Sequence, residues 1–336
     1  MTGALLVGAL GLLAAIGVAG PAGPVSAAVL VEDEVLCTFD SGELAEVSGI
    51  ALSRQHPGTV WMTNDSGGGP YLYAVDTATC AITARLTMLD VPARDHEALA
   101  IGRDDAGDDV IWVGDIGDNR DSWPYARIHK VVEPKVLVDA EVPVTTYRFT
   151  YPDGPRDAEA LMADPERERL WVISKEDGVG GVYRLPRPLS DSTTPMRARK
   201  VGDARSQVTD AAMAPGGRRY VVRDYLSAEV FEGRPPGQAQ ARFGLPLQPQ
   251  GEAVTWTPDG TGLVVASERS GQLIQVDVPG TALGTDGGIA GRLPRVAGFD
   301  IYPYVRVAAL VVGALVVLAV LGRSRRRARR RRSARR

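Results

Sequence analysis

Residues 95–119 read DHEALAIGRDDAGDDVIWVGDIGDN, and this stretch contains the unit that the rest of the chain repeats. A carboxylate leads into a short apolar run, Glu97 to Ile101, which is followed by a turn rich in Asp and Gly. A second apolar run, Val110 to Val113, then ends in acid at Asp115. Each run has the length of a strand, and the turn contains residues that favour tight reversals. The stretch therefore predicts a β-hairpin.

The same pattern recurs four more times along the chain. The four further hairpins are residues 48–65, 159–176, 210–224 and 252–268. Repetition with a period of roughly 40 to 60 residues is typical of a β-propeller, in which each repeat forms one blade. The sequence predicts an all-β propeller of five blades over residues 29–278. Six blades is the alternative, because the long insertion from Asp115 to Pro155 could contain strands of its own.

A lone strand-like run at residues 29–39 has no hairpin partner nearby. The fifth repeat has three such runs where the others have up to four, so the segment around Leu36 to Phe39 is expected to complete it and close the ring. The chain has two cysteines, Cys37 and Cys80. An even number in an exported chain predicts one disulfide. The blade count places both cysteines in outer strands of neighbouring blades, where the bond would fix the closure.

The two ends of the chain carry targeting signals. Leu5 to Val18 is continuously apolar, and Val25-Ser26-Ala27 supplies small residues for cleavage, which predicts a secretory signal peptide over residues 1–28. An N-terminal membrane anchor is the alternative. Residues 279–300 are rich in Gly, Thr, Ala and Pro and predict a stalk.

Residues 301–322 are predicted to cross the membrane as one helix, since the run from Val307 to Gly322 is uncharged and approaches the ~20 residues that a span requires. The Arg-rich tail, residues 323–336, fixes the orientation by the positive-inside rule and is expected to contact anionic lipid. The sequence thus predicts a single-pass protein of the cell membrane, with the propeller outside and the tail in the cytoplasm.

Charge is divided unevenly along the chain. The formal net charge is −3, but ten arginines lie in residues 323–336, so the remainder carries −13. An acidic body is unsuited to nucleic acid and favours cations or cationic groups as partners.

Acidic residues recur where each inner hairpin begins and ends, and in a propeller these two points meet at one face near the axis. Strand starts supply Glu97, Glu159, Asp210 and Glu252; strand ends supply Asp65, Asp115, Glu176, Asp224 and Glu268. So many like charges repel unless cations, basic neighbours or protonation relieve them. Oxygen ligands suit Ca²⁺, or Mg²⁺ with retained waters, and do not suit Zn²⁺. The sequence predicts bound Ca²⁺, with Glu97, Asp115, Glu159, Asp210 and Glu252 as its ligands.

Four basic residues stand beside these acids: His96, Lys175, Arg223 and Arg269. Two interpretations stay open: they neutralise the acidic ring by salt bridges, or they hold an anionic substrate group and are then the candidates for catalysis. Asn119 lies in a loop of Gly and Asp, residues 114–120, that permits close approach to a ligand or forms an ordinary turn. The candidates for ligand contact are Asp65, Glu176, Asp224, Glu268 and Asn119.

Common catalytic motifs are absent from the sequence. It contains no GxSxG, HExxH or Walker pattern. Histidine occurs at positions 56, 96 and 129 alone, and His129 falls within a strand pattern, so a serine triad would have His96 as its base.

Four segments resemble a group of bacterial exported β-propellers that includes the phytase-like, SdiA-regulated and gluconolactonase-like proteins. The segments are DHEALAIG (95–102), WVGDIGDN (112–119), IHKVVEP (128–134) and the run from Tyr151 to Leu161. The resemblance covers roughly residues 43–278 and implies acidic residues facing the axis. In the enzymes of the group it implies Ca²⁺-dependent hydrolysis of phosphoesters or lactones, with Glu97, Asp115, Glu159 and Glu252 as the matching ligand positions. The clustered Lys and Arg phosphate clamp of the phytases has no complete match here.

Three functions follow from these patterns as expectations. The first is a membrane-anchored, extracytoplasmic propeller that binds a small anionic ligand or a protein partner at an acidic, Ca²⁺-loaded face. The second is a Ca²⁺-dependent hydrolase, in which the metal polarises a phosphoryl or carbonyl oxygen. The third is a surface scaffold whose axis is ion-paired without metal.

Overall fold

The computed structural model describes residues 33–39, 42–65 and 67–284. The predicted signal peptide, membrane helix and Arg-rich tail lie outside these residues. Within them, no helix is long and apolar enough to span a membrane.

Almost all regular structure is β. In chain order the strands are β1 Asp33–Thr38, β2 Val47–Leu52, β3 Thr59–Asn64, β4 Tyr71–Asp76, β5 Ile82–Met88, β6 His96–Arg103, β7 Asp109–Asp115, β8 Ala126–Val132, β9 Ala140–Val142, β10 Thr145–Thr150, β11 Ala158–Ala163, β12 Leu170–Ser174, β13 Gly180–Arg184, β14 Met196–Arg197, β15 Arg199–Ala204, β16 Val208–Met213, β17 Arg219–Asp224, β18 Ser227–Glu232, β19 Gln238–Gly244, β20 Gln250–Trp256, β21 Gly262–Glu268 and β22 Gln272–Asp277. One short helix, α1, spans Gly280–Leu283. It falls in the segment predicted as stalk, and its Ala282 is buried against the hydrophobic core.

The strands form five sheets, and the four antiparallel strands of each sheet make one blade. From the axis outward, the blades are β2-β3-β4-β5, β6-β7-β8-β10, β11-β12-β13-β15, β16-β17-β18-β19 and β20-β21-β22-β1. The innermost strands pack side by side in a closed ring. At Gly49 in β2 the neighbouring backbone is so near that a Cβ would lie 2.6 Å from the Leu99 nitrogen, so this position requires glycine. The five-bladed propeller is confirmed.

The ring is closed by the N-terminal strand, as the sequence predicts. Strand β1 pairs antiparallel with β22, so that Glu34 faces Gln275 and Thr38 faces Gln272. The last blade thus combines three strands from the C-terminal end of the propeller with one from its beginning. Separating the two ends would expose the edge of β22, which makes the closure a cooperative element of the fold.

The long insertion in the second repeat holds one extra strand and no sixth blade. Residues 133–144 leave the second blade, and β9 adds in parallel to β5 of the first. The third repeat similarly places β14 in parallel beside β10 of the second blade. Each of these two outer edges is therefore covered by a segment of the following repeat, which protects it from pairing with another chain.

The core lies between the blades. The second strands of the first three blades carry a tryptophan at the same register, Trp61, Trp112 and Trp171, and each is at most 1% exposed. Inner strands are buried on both faces because each is sandwiched between neighbouring blades, which explains why their sequences are continuously apolar after the acidic start.

The predicted disulfide joins Cys37 and Cys80, with 5.5 Å between their Cα atoms. Cys37 lies in β1, the outer strand of the last blade, whereas Cys80 lies in the turn just before β5 of the first. The bond therefore links the closing strand to the neighbouring blade and supports the ring at the point where the chain ends meet.

We expect loss of this disulfide to lower the free energy of unfolding by about 3 kcal/mol, because the bond restricts the unfolded chain. Cys37→Ser with Cys80→Ser should therefore melt roughly 9 °C below the parent. Thermal unfolding followed by circular dichroism measures the difference. An unchanged melting temperature in the double variant would show that the hydrogen bonds of β1 secure the closure alone.

Candidate metal centre at the propeller axis

A β-bulge begins the inner strand of every blade. In each case one extra residue interrupts the pairing between the first strand and the second. The five bulged residues are Ser48, Glu97, Glu159, Thr209 and Glu252. A bulge re-aims the side chain that it carries, which is why bulges recur beside functional sites. All five are at most 4% exposed. Because they occupy equivalent positions in the five blades, they form a ring of three carboxylates and two hydroxyls.

The register gives Asp210 a different place from the one predicted. Thr209 occupies the bulge, and Asp210 is the next residue, paired with Arg223 across the hairpin. Its two carboxylate oxygens accept hydrogen bonds from the backbone nitrogens of Ala211 and Val254, both at 2.7 Å. Asp210 therefore joins the fourth blade to the fifth, and each of its carboxylate oxygens already accepts a backbone hydrogen bond.

Three carboxylates from the first two blades converge at one point. Asp65, Asp95 and Glu97 each offer an oxygen, and these atoms lie within 4.8 Å of one another. Gly117 lies directly beside them, because a Cβ at this position would be 2.5 Å from Asp95 Oδ2 and from Glu97 Oε1. The absence of a side chain at Gly117 is what allows the two acids to meet. We call Asp65, Asp95 and Glu97 the axial triad.

Burial and mutual repulsion raise the pKa values of two carboxyl groups of the axial triad, Asp95 and Glu97. Burial, then the charges of Glu159, Asp65 and Asp95, raise the pKa of Glu97 well above its usual range. Burial and the charge of Asp65 raise the pKa of Asp95 to about 7. Such groups are stabilised either by protonation or by a cation in their midst.

The acidic cluster extends to the third and fifth blades. Burial raises the pKa of Glu159 to about 7, even though Lys175 opposes the shift with its Nζ 2.7 Å from Glu159 Oε1. Burial, offset in part by Gln250, raises the pKa of Glu252 to about 8 beside Glu268. Of the four basic candidates, Lys175 is thus brought into the cluster. Arg269 is exposed, and its Nε lies 4.0 Å from Glu268 Oε2, which makes this a loose surface ion pair.

Asp115 and His96 belong to a second, buried cluster behind β6 and β7. Asp115 accepts a hydrogen bond from the Asp95 nitrogen at 2.8 Å and lies 3.3 Å from Arg127 Nε. Burial alone would raise the pKa of Asp115, but a hydrogen bond with His129 and the nearby positive charges lower it. Burial lowers the pKa of His96 to about 4, so its ring is neutral near pH 7. Asp115 supports the axial triad through the Asp95 backbone.

Arg223 is a buried connector between blades. It is fully buried, and its Nη1 donates to the carbonyl oxygens of Ala253 at 2.7 Å and Ala266 at 3.2 Å. A Cβ on Gly251 would collide with its Nη2. These contacts assign Arg223 to packing between the fourth and fifth blades, out of reach of a ligand.

The remaining predicted ligand contacts lie around the cluster. Glu176 pairs with Arg156 at 3.0 Å. Asp224 accepts hydrogen bonds from the Leu226 and Ser227 nitrogens and so closes the turn after β17. Asn119 is exposed in its loop. The structure thus brings Asp65 and Glu268 to the acidic cluster and leaves Glu176, Asp224 and Asn119 outside the axial triad.

Asp95 and Asp157 are functional candidates that the hairpin pattern alone did not select. Each precedes a bulged glutamate by two positions, as Asp95-His96-Glu97 and Asp157-Ala158-Glu159. Burial raises the pKa of Asp157, whose Oδ1 accepts a hydrogen bond from the Asp118 nitrogen at 2.8 Å. The repeated Asp-x-Glu spacing is the signal that could have identified both residues.

These shifts predict that stability of the metal-free protein falls as pH rises. A carboxyl whose folded pKa is raised holds a proton that the unfolded chain releases, so its contribution is lost between the unfolded and folded pKa values, here from about pH 4.5 to about pH 8. His96 has the opposite slope, but only from about pH 4 to about pH 6.5. Between pH 6.5 and 8 we therefore expect the melting temperature in EDTA to fall by about 6 °C.

Thermal scans across that interval, with and without saturating Ca²⁺, measure this effect. Ca²⁺ should remove the fall, because it binds the deprotonated carboxylates. A melting temperature that stays level in EDTA would contradict the raised pKa values.

Comparisons with known proteins match this chain at the level of fold. No protein-family model matches the sequence, and no curated protein matches it. A PQQ-bound aldose sugar dehydrogenase from Streptomyces coelicolor is 12% identical with a TM-score of 0.43, over 74% of this chain and 99% of that one. The gluconolactonase XC5397 from Xanthomonas campestris is 11% identical with a TM-score of 0.44, over 70% of this chain and 73% of that one.

The β-propeller domain of Cps50 (Swd1) from Myceliophteria thermophila is 11% identical with a TM-score of 0.40, over 74% of this chain and 100% of that one. These solved structures include a gluconolactonase and a β-propeller domain. The propeller fold of this chain is shown by its own five sheets.

Proposed function

We propose that this propeller binds Ca²⁺ at the axial triad and uses the acidic, Ca²⁺-loaded face to bind a small anionic ligand or a protein partner. The observation that carries the proposal is the convergence of the Asp65, Asp95 and Glu97 oxygens within 4.8 Å. A cation at that point would offset the repulsion that otherwise raises the pKa values of Asp95 and Glu97.

The donor set fits a hard cation. All three candidate ligands of the axial triad are carboxylates, and Ca²⁺ takes six to eight oxygens with flexible geometry, whereas Zn²⁺ prefers nitrogen and sulfur. Glu159 is close enough for its charge to raise the Glu97 pKa. Gly117 leaves the room that the two meeting carboxylates need. Bound Ca²⁺ would supply positive charge at which an anionic group of a ligand can coordinate.

The cellular setting belongs to the same proposal. The apolar run and small residues of positions 1–28 and the uncharged run of positions 301–322 support an exported propeller held at the cell membrane. The extracellular side is also where millimolar Ca²⁺ sites of modest affinity are found in other modules. The arginines of positions 323–336 would lie on the cytoplasmic side, against anionic lipid.

Metal content after equilibrium dialysis tests the binding. The purified full-length chain would be dialysed against Ca²⁺, Mg²⁺ and Zn²⁺ in competition, and bound metal counted by mass spectrometry. We expect Ca²⁺ to be retained and Glu97→Gln to release it. Retention of Zn²⁺ in place of Ca²⁺, or no retained metal, would contradict the proposal.

A Ca²⁺-dependent hydrolase is the second candidate, and one observation favours it. Glu159 lies in the acidic cluster outside the axial triad and has a pKa raised to about 7, which is where a general acid or base operates best at neutral pH. In this function Ca²⁺ would polarise a phosphoryl or carbonyl oxygen, Glu159 would move the proton, and Lys175 would orient an anionic group.

Turnover separates the two candidates. A panel of phosphoesters and lactones would be assayed with Ca²⁺ and with chelator. Turnover that disappears with chelator and in Glu97→Gln would favour the hydrolase, whereas retained Ca²⁺ without turnover would favour the binding module.

A further inference from the structure

A cavity of about 250 Å³ lies beside the axial triad, between the β7–β8 loop and the β10–β11 connection. Its walls include Trp123, Tyr125, Tyr151 and Pro155, and Arg94 and Arg156 also line it. Ligand pockets in proteins are concave, mostly apolar and furnished with a few placed polar groups. This cavity has that composition.

The indole of Trp123 is held in place before any ligand arrives. Its backbone nitrogen donates to Asp118 Oδ2 at 2.6 Å, and the Asp118 nitrogen donates in turn to Asp157 Oδ1 at 2.8 Å. The Arg94 guanidinium stacks 4.2 Å from the centre of the indole ring. Arg94 itself is fixed by the carbonyl oxygens of Tyr125 and Asp115. A rigid aromatic wall loses little freedom when a ring packs on it, which favours binding.

Exposure distinguishes this tryptophan from the others. Trp123 is 41% exposed, whereas Trp61, Trp112, Trp171 and Trp256 are at most 3% exposed. The loop therefore presents a fixed indole at the mouth of a cavity instead of burying it with the rest. Such an arrangement suits a ring with apolar faces.

Gly117 is shared by the cavity and the axial triad. It lines the cavity, and its missing Cβ would lie 2.5 Å from Asp95 Oδ2 and Glu97 Oε1. One glycine thus separates the aromatic walls from the carboxylates. A ring bound in the cavity would therefore lie next to Gly117, the residue that also borders Asp95 and Glu97.

We propose that the cavity binds the ring of a small cyclic carboxylate, whose anionic group coordinates the Ca²⁺ at the axial triad. Coordination of the ligand's anionic group rests on the proposed cation site, whereas binding of its ring rests on the cavity alone. The ligand carboxylate would add oxygen atoms to the coordination of the Ca²⁺, because the three carboxylates of the triad alone fall short of the six to eight oxygens that Ca²⁺ usually takes.

Saturation-transfer NMR on the full-length protein tests both halves. The probes are benzoate, which has a ring and a carboxylate, and benzyl alcohol, which has the ring without the charge. With Ca²⁺ we expect benzoate to bind and Trp123→Ala to weaken it about tenfold. Val136→Ala is the matched control, since it removes an apolar side chain that is 66% exposed and does not line the cavity. Chelation should weaken benzoate about tenfold and leave benzyl alcohol unchanged.

A second readout needs no variant. Because the other tryptophans are buried, fluorescence that acrylamide quenches comes from Trp123, and cyclohexanecarboxylate should protect it in Ca²⁺. The outcomes separate the two claims. Retained Ca²⁺ with no binding of either ring probe, or equal binding in Trp123→Ala, overturns this inference and leaves the cation site standing. Equal binding of benzoate with and without Ca²⁺ overturns coordination through the metal and confines the ligand to the cavity.

Discussion

Saturating Ca²⁺ is expected to raise the melting temperature of the metal-free protein by roughly 10 °C. Binding to the native state alone stabilises it by about 4 kcal/mol at a thousandfold excess over Kd, and a domain of this size gains about 2 to 4 °C per kcal/mol. The effect should be lost in Glu97→Gln, because Glu97 meets Asp65 and Asp95 within 4.8 Å. Differential scanning calorimetry of the full-length chain measures the shift.

The matched control removes a carboxylate that lies outside the cluster. Glu43 has a side chain that is 56% exposed and pairs with Arg85, so Glu43→Gln should keep the whole Ca²⁺ shift. Without Ca²⁺, Glu97→Gln should melt above the parent, since a neutral amide ends the repulsion among the triad. An equal Ca²⁺ shift in parent and Glu97→Gln would place the ion elsewhere.

Arg223→Met is expected to lower the free energy of unfolding by about 4 kcal/mol, the range found when one partner is removed from a buried charged network. The guanidinium connects the carbonyl oxygens of Ala253 and Ala266 to the fourth blade. Burial raises the pKa of Asp210, and the positive charge of Arg223 opposes that shift. Its loss leaves those acceptors without their donor. Chemical denaturation followed by fluorescence measures the change.

Arg242→Met is the control for that variant. Arg242 lies in the same blade and pairs with Asp224 at 2.8 Å, but its side chain is 44% exposed, so its loss should change stability by about 0.5 kcal/mol or less. Gly251→Ala should mimic Arg223→Met, because the added Cβ collides with the guanidinium. If Arg223→Met and Arg242→Met proved equally stable, the assignment of Arg223 to blade packing would fail.

The architecture could be predicted from local patterns because each inner hairpin is a short-range structure. Closure by the N-terminal strand followed from counting, since the last repeat lacks one run. The added strands β9 and β14 could not be predicted: Ala140–Val142 is three residues long, and its partner β5 belongs to another repeat. Pairing between distant segments leaves no periodic signal when the segment is so short.

The acidic site was predicted in part. Glu97, Glu159 and Glu252 do occupy equivalent positions, and the sequence pattern selected all three. Asp210 was selected because it also begins an apolar run, but the bulge falls one residue earlier, at Thr209. A shift of one residue reverses the direction of a strand side chain, and bulge positions are fixed by the pairing of two strands, which a single strand's sequence does not display.

The structure also separates roles that the sequence had grouped together. Lys175 contacts Glu159 within the cluster, whereas Arg223 lies between blades and His96 lies in the buried cluster with Asp115 and His129. All three stand beside a predicted acid in the sequence. Adjacent residues of a strand point to opposite sides, so neighbours in sequence need not share a site.

Calorimetric titration of the metal-free, full-length chain with Ca²⁺ at about pH 7, run in two buffers of different ionisation enthalpy, measures Ca²⁺ binding and proton release together. We expect saturable binding with release of protons, because the pKa of Asp95 is raised to about 7 and metal binding requires the deprotonated form. We expect Glu97→Gln to abolish both the binding and the proton release. Absence of Ca²⁺ binding, or binding that Glu97→Gln leaves unchanged, would contradict a cation site at Asp65, Asp95 and Glu97.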